Sequence, residues 1–318
     1  MPVHEKVVQS LYEKSQFREA LGKEKNYPKF LEFFQQEIEQ KGTEAALSEY
    51  VFAEDENAES MMAQLFGGLL HPIIHLEFAI EFNQPAIISE VLAQTVVHDD
   101  WIGPSFLWPA EKVAGGIRNR GEKTMLQLLE EARANEKLAK EMINIASQYT
   151  VSEEQIQEKF AEMFDFFYIH TVNSSIFYSK ILPLPSLATH TRLRLLEWKG
   201  RMDLIMHISR NAPALYLDEI TQYPITNDWE TINARSNQHP DDDGYLSKLV
   251  RALRNAEHVC KRYMGQEKER GLKIIGDMWL RIGNMVNDSV KGKGGEAMWV
   301  RSTGFDEAWV DFDDSARL

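Results

Sequence analysis

One cysteine, Cys260, stands in 318 residues. That excludes an intrachain disulfide and any metal cage of several thiolates, and it fits a reducing compartment. No run of about eighteen apolar residues occurs, so no segment reads as a membrane span. The opening MPVHEKVVQSLYEKSQ is charged and amphipathic rather than a signal peptide, and a cytoplasmic protein with no membrane partner is expected. Basic residues are few: 35 Lys and Arg against 49 Asp and Glu leave a net charge of −14. Such a chain is not expected to bind nucleic acid or an anionic membrane, both of which demand positive charge. G-x-G-x-x-G and G-x-x-x-x-G-K-[ST] are both missing, so neither a dinucleotide fingerprint nor a P-loop offers a phosphate seat. Alternating strand patterns and internal repeats are missing too. What remains is helix periodicity. The expected fold is all-α, a single multi-helix domain over residues 1–318 with 290–318 as a C-terminal tail packed onto it.

The richest stretch is Leu65 to Asp100, LFGGLLHPIIHLEFAIEFNQPAIISEVLAQTVVHDD, which holds three of the nine histidines. His71 and His75 are four apart, with Pro72 where a first helical turn tolerates it. At helical spacing His71, His75, Phe78 and Phe82 share a face. Asn83, Gln84 and Pro85 stop that helix, and a second starts near Pro85, on which Ile88, Val91, Thr95 and His98 align. A buried histidine cluster is expected.

Around this stretch the chain reads as follows. Phe30, Phe33, Phe34 and Ile38 form an apolar helical stripe near the N-terminus. Asp99 to Gly121 reads as an irregular loop carrying Trp101, Phe106 and Trp108, either a pocket rim or a flap over the core. Residues 122–148 read as a charged, solvated helix pair. A capped helix starts at Ser152 and carries Met163, Phe166, His170, Ser174 and Phe177 along one face until Pro183 and Pro185 end it. Leu193 to His207 reads as helix despite Gly200, and holds two candidate site residues, Arg201 and Asp203. Asp243 is a candidate cap for the helix whose buried stripe runs from Tyr245 to Cys260, with Lys248 at its edge. Trp299, Phe305 and Trp309 are expected to pack the tail down.

Each imidazole on an apolar face needs partners for both ring nitrogens. Ordinary core packing satisfies one such residue at a time. A metal satisfies several at once, and an i, i+4 histidine pair has the geometry to grip one ion. The residues between His71 and His75 are Pro-Ile-Ile, so the glutamate base of a zinc protease is missing. An all-nitrogen set built from His71, His75, His98 and His170 suits iron, copper or zinc rather than magnesium or calcium. Lys248 is either a snorkelling lysine or a desolvated amine able to react.

Several segments together resemble the questin oxidase-like family: the Leu65–His98 stretch, DFFYIHTVNSSIF, LLEWKGRMDLIMHISRNAPALYLDEI, DDDGYLSKLVRAL and MWVRSTGFDEAW, in order from about Tyr27 to Trp309. The resemblance implies an oxygen-dependent oxidoreductase, of Baeyer–Villiger or ring-cleaving type, acting on an anthraquinone-like aromatic polyketide of secondary metabolism. It implies non-haem iron, with NADPH as a further candidate cofactor; a missing Rossmann fingerprint speaks for iron over flavin. On the matched motifs His71, His75 and His170 are the expected ligands, with Lys248 as a carboxylated lysine ligand; His98 is the expected fourth ligand by its position and helix face. Trp101, Trp108, Phe166 and Phe167 are expected to wall the aromatic substrate. Glu77 and His207 depart from the pattern, which expects a small residue and an aromatic one. The rival expectation is a non-catalytic helical binder of aromatic ligands, or a degenerate relative with purely structural histidines.

Overall fold

The computed structural model describes residues 8–310 except 136, 157–158, 160–168, 243, 267–271, 295–297 and 301–302; at 138, 139 and 169 the backbone alone is described. Every regular element among the described residues is a helix, as the periodicity predicts. None of them is by itself long and apolar enough to cross a membrane. The chain divides into two compact units, Met1–Gly116 with Phe177–Lys199, and Ile117–Ile176 with Gly200–Leu318.

The first unit is built on α1 (Lys14–Ala20), α2 (Tyr27–Lys41), α3 (Thr43–Tyr50), α4 (Glu56–Gln64), α5 (His71–Glu81), α6 (Pro85–Val97) and α7 (Trp108–Ala114). Helix α2 lies along α6, and α5 packs on α6 as well. The stripe expected on α2 is the core: Phe30, Phe33, Phe34 and Ile38 are buried, with Phe17 and Tyr50 packed edge-on or stacked against them. Each fully buried phenylalanine contributes about 2 kcal/mol through area removed from water. One carboxylate, Glu37, is buried inside this stripe. Burial alone would raise its carboxyl, but hydrogen bonds from Lys41, Tyr50 and Tyr12 outweigh it and hold it below the usual carboxylate range.

The α4 helix is capped by Asp55, which accepts from Asn57 and Ala58 backbone N–H at 3.0 and 3.1 Å. Helix α5 ends where Asn83 takes a left-handed conformation, φ +47°, and Gln84 N–H reaches back to the Ala79 carbonyl at 2.8 Å. The stretch after Asp99 is more regular than expected. Gly103–Leu107 forms a π-helical turn that leads straight into α7. Its prolines fall at first-turn positions, where a missing N–H costs nothing, so they did not break the helices as loop signals would.

Helix α10 (Ile169–Ile181) and helix α11 (Thr189–Ser209) each contribute to both units. Arg194 of α11 clamps two helices of the first unit. It donates to Glu59 at 2.6 and 2.8 Å and to Glu111 at 2.7 and 3.1 Å, and its guanidinium lies 4.7 Å from the Trp198 ring centre. Bidentate carboxylate pairing of this kind is the strong, directional form of an ion pair.

The second unit adds α8 (Met125–Ala134), α9 (Leu138–Ser147), α12 (Leu217–Gln222), α13 (Trp229–Asn237), α14 (Tyr245–Cys260) and α15 (Met278–Ser289). Thr124 and Gln127 close a capping box at the start of α8, Ser152 and Gln155 close another, and Asp228 caps α13. The α8–α9 pair, expected as solvated surface, buries an apolar face through Ala132 and Ile145 against Ile208. Helices α13, α14 and α15 pack on one another, and α14 buries Leu249, Ala252, Leu253, Ala256 and Cys260 as its periodicity predicts. Asp243 lies outside the described residues; the neighbouring Asp242 accepts from Leu246 N–H at 2.9 Å instead. In the tail Trp299 and Trp309 are half-buried, but Phe305 is exposed, correcting the expected packing.

Every residue of α11 from Leu195 to Leu204 is buried. That includes Glu197, Lys199, Arg201 and Asp203. Their order places opposite charges four apart along the helix, Glu197 with Arg201 and Lys199 with Asp203. Buried charge survives only when it is paired, and none of the four is without a partner. Gly200 in their midst has a steric reason: a Cβ there would sit 2.1 Å from Cε1 of the buried Tyr149 ring.

Candidate active site

In the first unit the sequence brings His71 and His75 onto α5, and the chain enters that helix through an unusual turn. Gly68, Leu69 and Leu70 are consecutively left-handed, at φ +52°, +56° and +68°. Two leucines in this region carry a conformational cost of about 1–2 kcal/mol each, which the surrounding structure must offset. His98 lies against the same turn. It falls just past the end of α6, at ψ 150°, and so leaves the helical face on which it was expected. Its ring covers Gly68 so closely that a Cβ on Gly68 would meet Cε1 at 3.0 Å. Gln64 donates to the His98 carbonyl at 3.0 Å, and the buried His98 Nε2 makes no hydrogen bond.

The expected buried cluster of His71, His75 and His98 is not found. His71, the first residue of α5, is exposed; His75 is half-buried, with Nδ1 3.4 Å from Gln94 Oε1. The face of α5 that holds these two histidines is its open one, and the buried face is Ile73, Leu76, Glu77 and Ala79. Glu77 is therefore about 200° round the helix from His75, with no shared outlook. Farther along the open face Phe78 and Phe82 stack with centroids 6.3 Å apart and planes within 7°. Phe82 is 59% exposed. Among the described residues no three of His, Cys, Asp or Glu lie close enough together to hold a metal ion.

Of the expected substrate walls, Trp101 is 55% exposed and the Trp108 ring lies over Gly103, where a Cβ would meet it at 2.9 Å. Phe106 is buried in the core rather than on a rim. Phe166 and Phe167 lie outside the described residues, as does Met163. A shallow groove of about 450 Å³ between the α2–α3 turn and the start of α6 is lined by Ile38, Gly42, Pro85 and Ser89 among others. It holds none of the candidate residues.

In the second unit two residues chosen separately from the sequence come together on a third. His170 stands in the first turn of α10, and its ring centre is 5.6 Å from that of Tyr245. Lys248 stands three residues after Tyr245 in α14, and its Nζ lies 4.7 Å from the Tyr245 ring centre. One phenol ring thus touches both an imidazole and an ammonium, the second contact being a cation–π pair. Gly244, at φ +95°, starts the helix in a conformation that a side chain would strain, and it leaves Lys248 Cε unobstructed at 3.6 Å from an added Cβ. Sequence reading placed Tyr245 in the core stripe; its i, i+3 spacing to Lys248 was the one local signal of the pairing.

Arg201 and Asp203 are fully buried on α11, and Arg201 Nη2 donates to the Tyr149 carbonyl at 3.4 Å. Lys159, also buried, donates to the Lys123 carbonyl at 2.9 Å with its Nζ 5.2 Å from the Tyr149 ring centre. His207 is buried nearby on the same helix. Burial, then the Arg133 charge, push its imidazole down to about 4, so it is neutral at physiological pH.

The model of the questin oxidase-like family matches residues 1–165 and 139–253 of this chain. Among curated proteins the chain is 33% identical over 352 aligned positions to the Baeyer-Villiger oxidase ptaJ of Pestalotiopsis fici, covering 97% of this chain and 79% of that protein. It is 34% identical over 356 positions to the questin oxidase of Aspergillus terreus, with 97% and 79% covered. It is 36% identical over 314 positions to the Baeyer-Villiger oxidase notM of an Aspergillus species, with 90% and 77% covered.

Proposed function

The chain belongs to the questin oxidase-like family, and we propose that it is an oxidoreductase that uses molecular oxygen on an anthraquinone-like aromatic polyketide. The observation that carries this reading is the extent of the likeness: relatives named for Baeyer-Villiger and questin oxidation align with nearly the whole chain, both units included. In the Baeyer–Villiger form the balance is a ketone, oxygen, NADPH and a proton giving a lactone, water and NADP⁺. One oxygen atom would enter between the carbonyl carbon and its ring neighbour, and the other would leave as water with two electrons from a reductant such as NADPH supplied in solution.

The chain's own groups supply placement and charge. Lys248 presents an ammonium held on the Tyr245 ring, with the His170 imidazole on the same ring. A fixed cation of this kind favours charge developing on a substrate oxygen. Arg201 and Asp203 are fully buried on α11, which leaves them no surface to present to a substrate.

Iron, when bound, would activate oxygen. The described His71, His75 and His98 do not form a metal-holding group. The test is direct. Purified protein is incubated with a hydroxyanthraquinone and oxygen, with and without NADPH, and products are followed by mass spectrometry while metal content is measured in wild type and His75→Ala. A product one oxygen heavier, dependent on the protein, is expected. No oxidation of any anthraquinone under either condition would overturn the reading, and iron that is stoichiometric in wild type and absent from His75→Ala would restore a metal to it.

A further inference from the structure

The two ring contacts of Tyr245 fix the position of its ring, and neither of them engages its hydroxyl. His170 lies 5.6 Å away centre to centre, tilted by 59°, and the Lys248 ammonium lies 4.7 Å from the ring centre. The backbone beneath is held as well, since Tyr245 opens α14, where Asp242 accepts from Leu246 N–H at 2.9 Å. The side chain is half-buried, and among the described residues its hydroxyl has no hydrogen-bond partner. A phenol group can both donate and accept. A ring held by two neighbours, with a hydroxyl that no described residue engages, is a placed donor, because the entropy of aiming it is already spent in folding.

We propose that Tyr245 binds the substrate: its hydroxyl donates a hydrogen bond to a carbonyl or phenol oxygen of the planar aromatic, while its ring keeps Lys248 and His170 beside that oxygen. No bond is made or broken at Tyr245. The inference rests on the proposed function, and it adds a contact that sets which edge of the substrate faces Lys248 and His170.

The experiment separates hydroxyl from ring. Binding of 1,8-dihydroxyanthraquinone to the full chain is titrated by its visible absorbance under anaerobic conditions, for wild type, Tyr245→Phe and Tyr245→Leu, alongside thermal melting. Tyr245→Phe keeps the ring and both its contacts; it is expected to bind about tenfold more weakly, as the loss of one hydrogen bond predicts, with its melting temperature unchanged. In turnover, the same variant raises KM more than it lowers kcat, whereas Tyr245→Leu loses both. Wild-type affinity in Tyr245→Phe with a loss only in Tyr245→Leu would assign the ring alone and overturn the hydroxyl contact, leaving the proposed function standing. No binding by wild type would overturn both.

Discussion

Gly200→Ala sets two known effects against each other. In a helix interior alanine is favoured over glycine by about 1 kcal/mol, so an open helix would gain that much. Gly200 is not in the open. A Cβ there would lie 2.1 Å from Cε1, 2.3 Å from Cδ1 and 2.7 Å from Cζ of Tyr149, where contacts below about 3 Å do not occur. Tyr149 has no room to withdraw, being fully buried, with its carbonyl bonded to Arg201 and the Lys159 ammonium over its ring. Forcing a methyl into such packing costs about 1–3 kcal/mol, and more when backbone must move. The overlap wins, and a net loss of about 1–2 kcal/mol is expected, a fall in melting temperature of roughly 1.5–3 °C for a chain of this size. Urea unfolding followed by circular dichroism measures it. The cause is isolated by a double-mutant cycle with Tyr149→Ala, in whose background Gly200→Ala should become neutral or stabilising. A single Gly200→Ala variant more stable than wild type would refute the reasoning, and so would an equal loss in both backgrounds.

Glu37, whose carboxyl is held below its unfolded value, contributes stability that is present above about pH 4.3 and is lost as pH falls through its folded value. Glu37→Gln should cost about 2 kcal/mol at neutral pH and flatten the acid limb of the stability curve, read by thermal melts from pH 7 to pH 3; an unchanged limb would mean other carboxylates control it. Gly68→Ala, at φ +52° and 3.0 Å from the His98 ring, should lose about 1–2 kcal/mol and shift the His98 imidazole resonances in an NMR spectrum, whereas a silent spectrum would show that the ring does not rest on that glycine.

What the sequence determined is local. Pro72 and Asn83 bound α5 to within a residue or two, Pro85 opens α6, and the phenylalanine stripe of α2 is buried as its spacing says, because helix periodicity and turn chemistry are written over a few neighbouring residues. The family motifs were legible for the same reason, as short ordered strings. Tertiary structure decided which faces are covered and where side chains end up. The apolar look of α5 did not say that its histidine face is the open one, since that depends on which helices pack against it. His98 left its expected face because α6 ends one residue earlier and the backbone turns. Nothing near Gly200 in the chain announces Tyr149, and nothing but their spacing in α14 pairs Tyr245 with Lys248. The meeting of both with His170, far away in sequence, is a product of packing alone. Spacing along one helix fixes directions to within its own turn; distances between helices are set by the volumes of all the side chains between them.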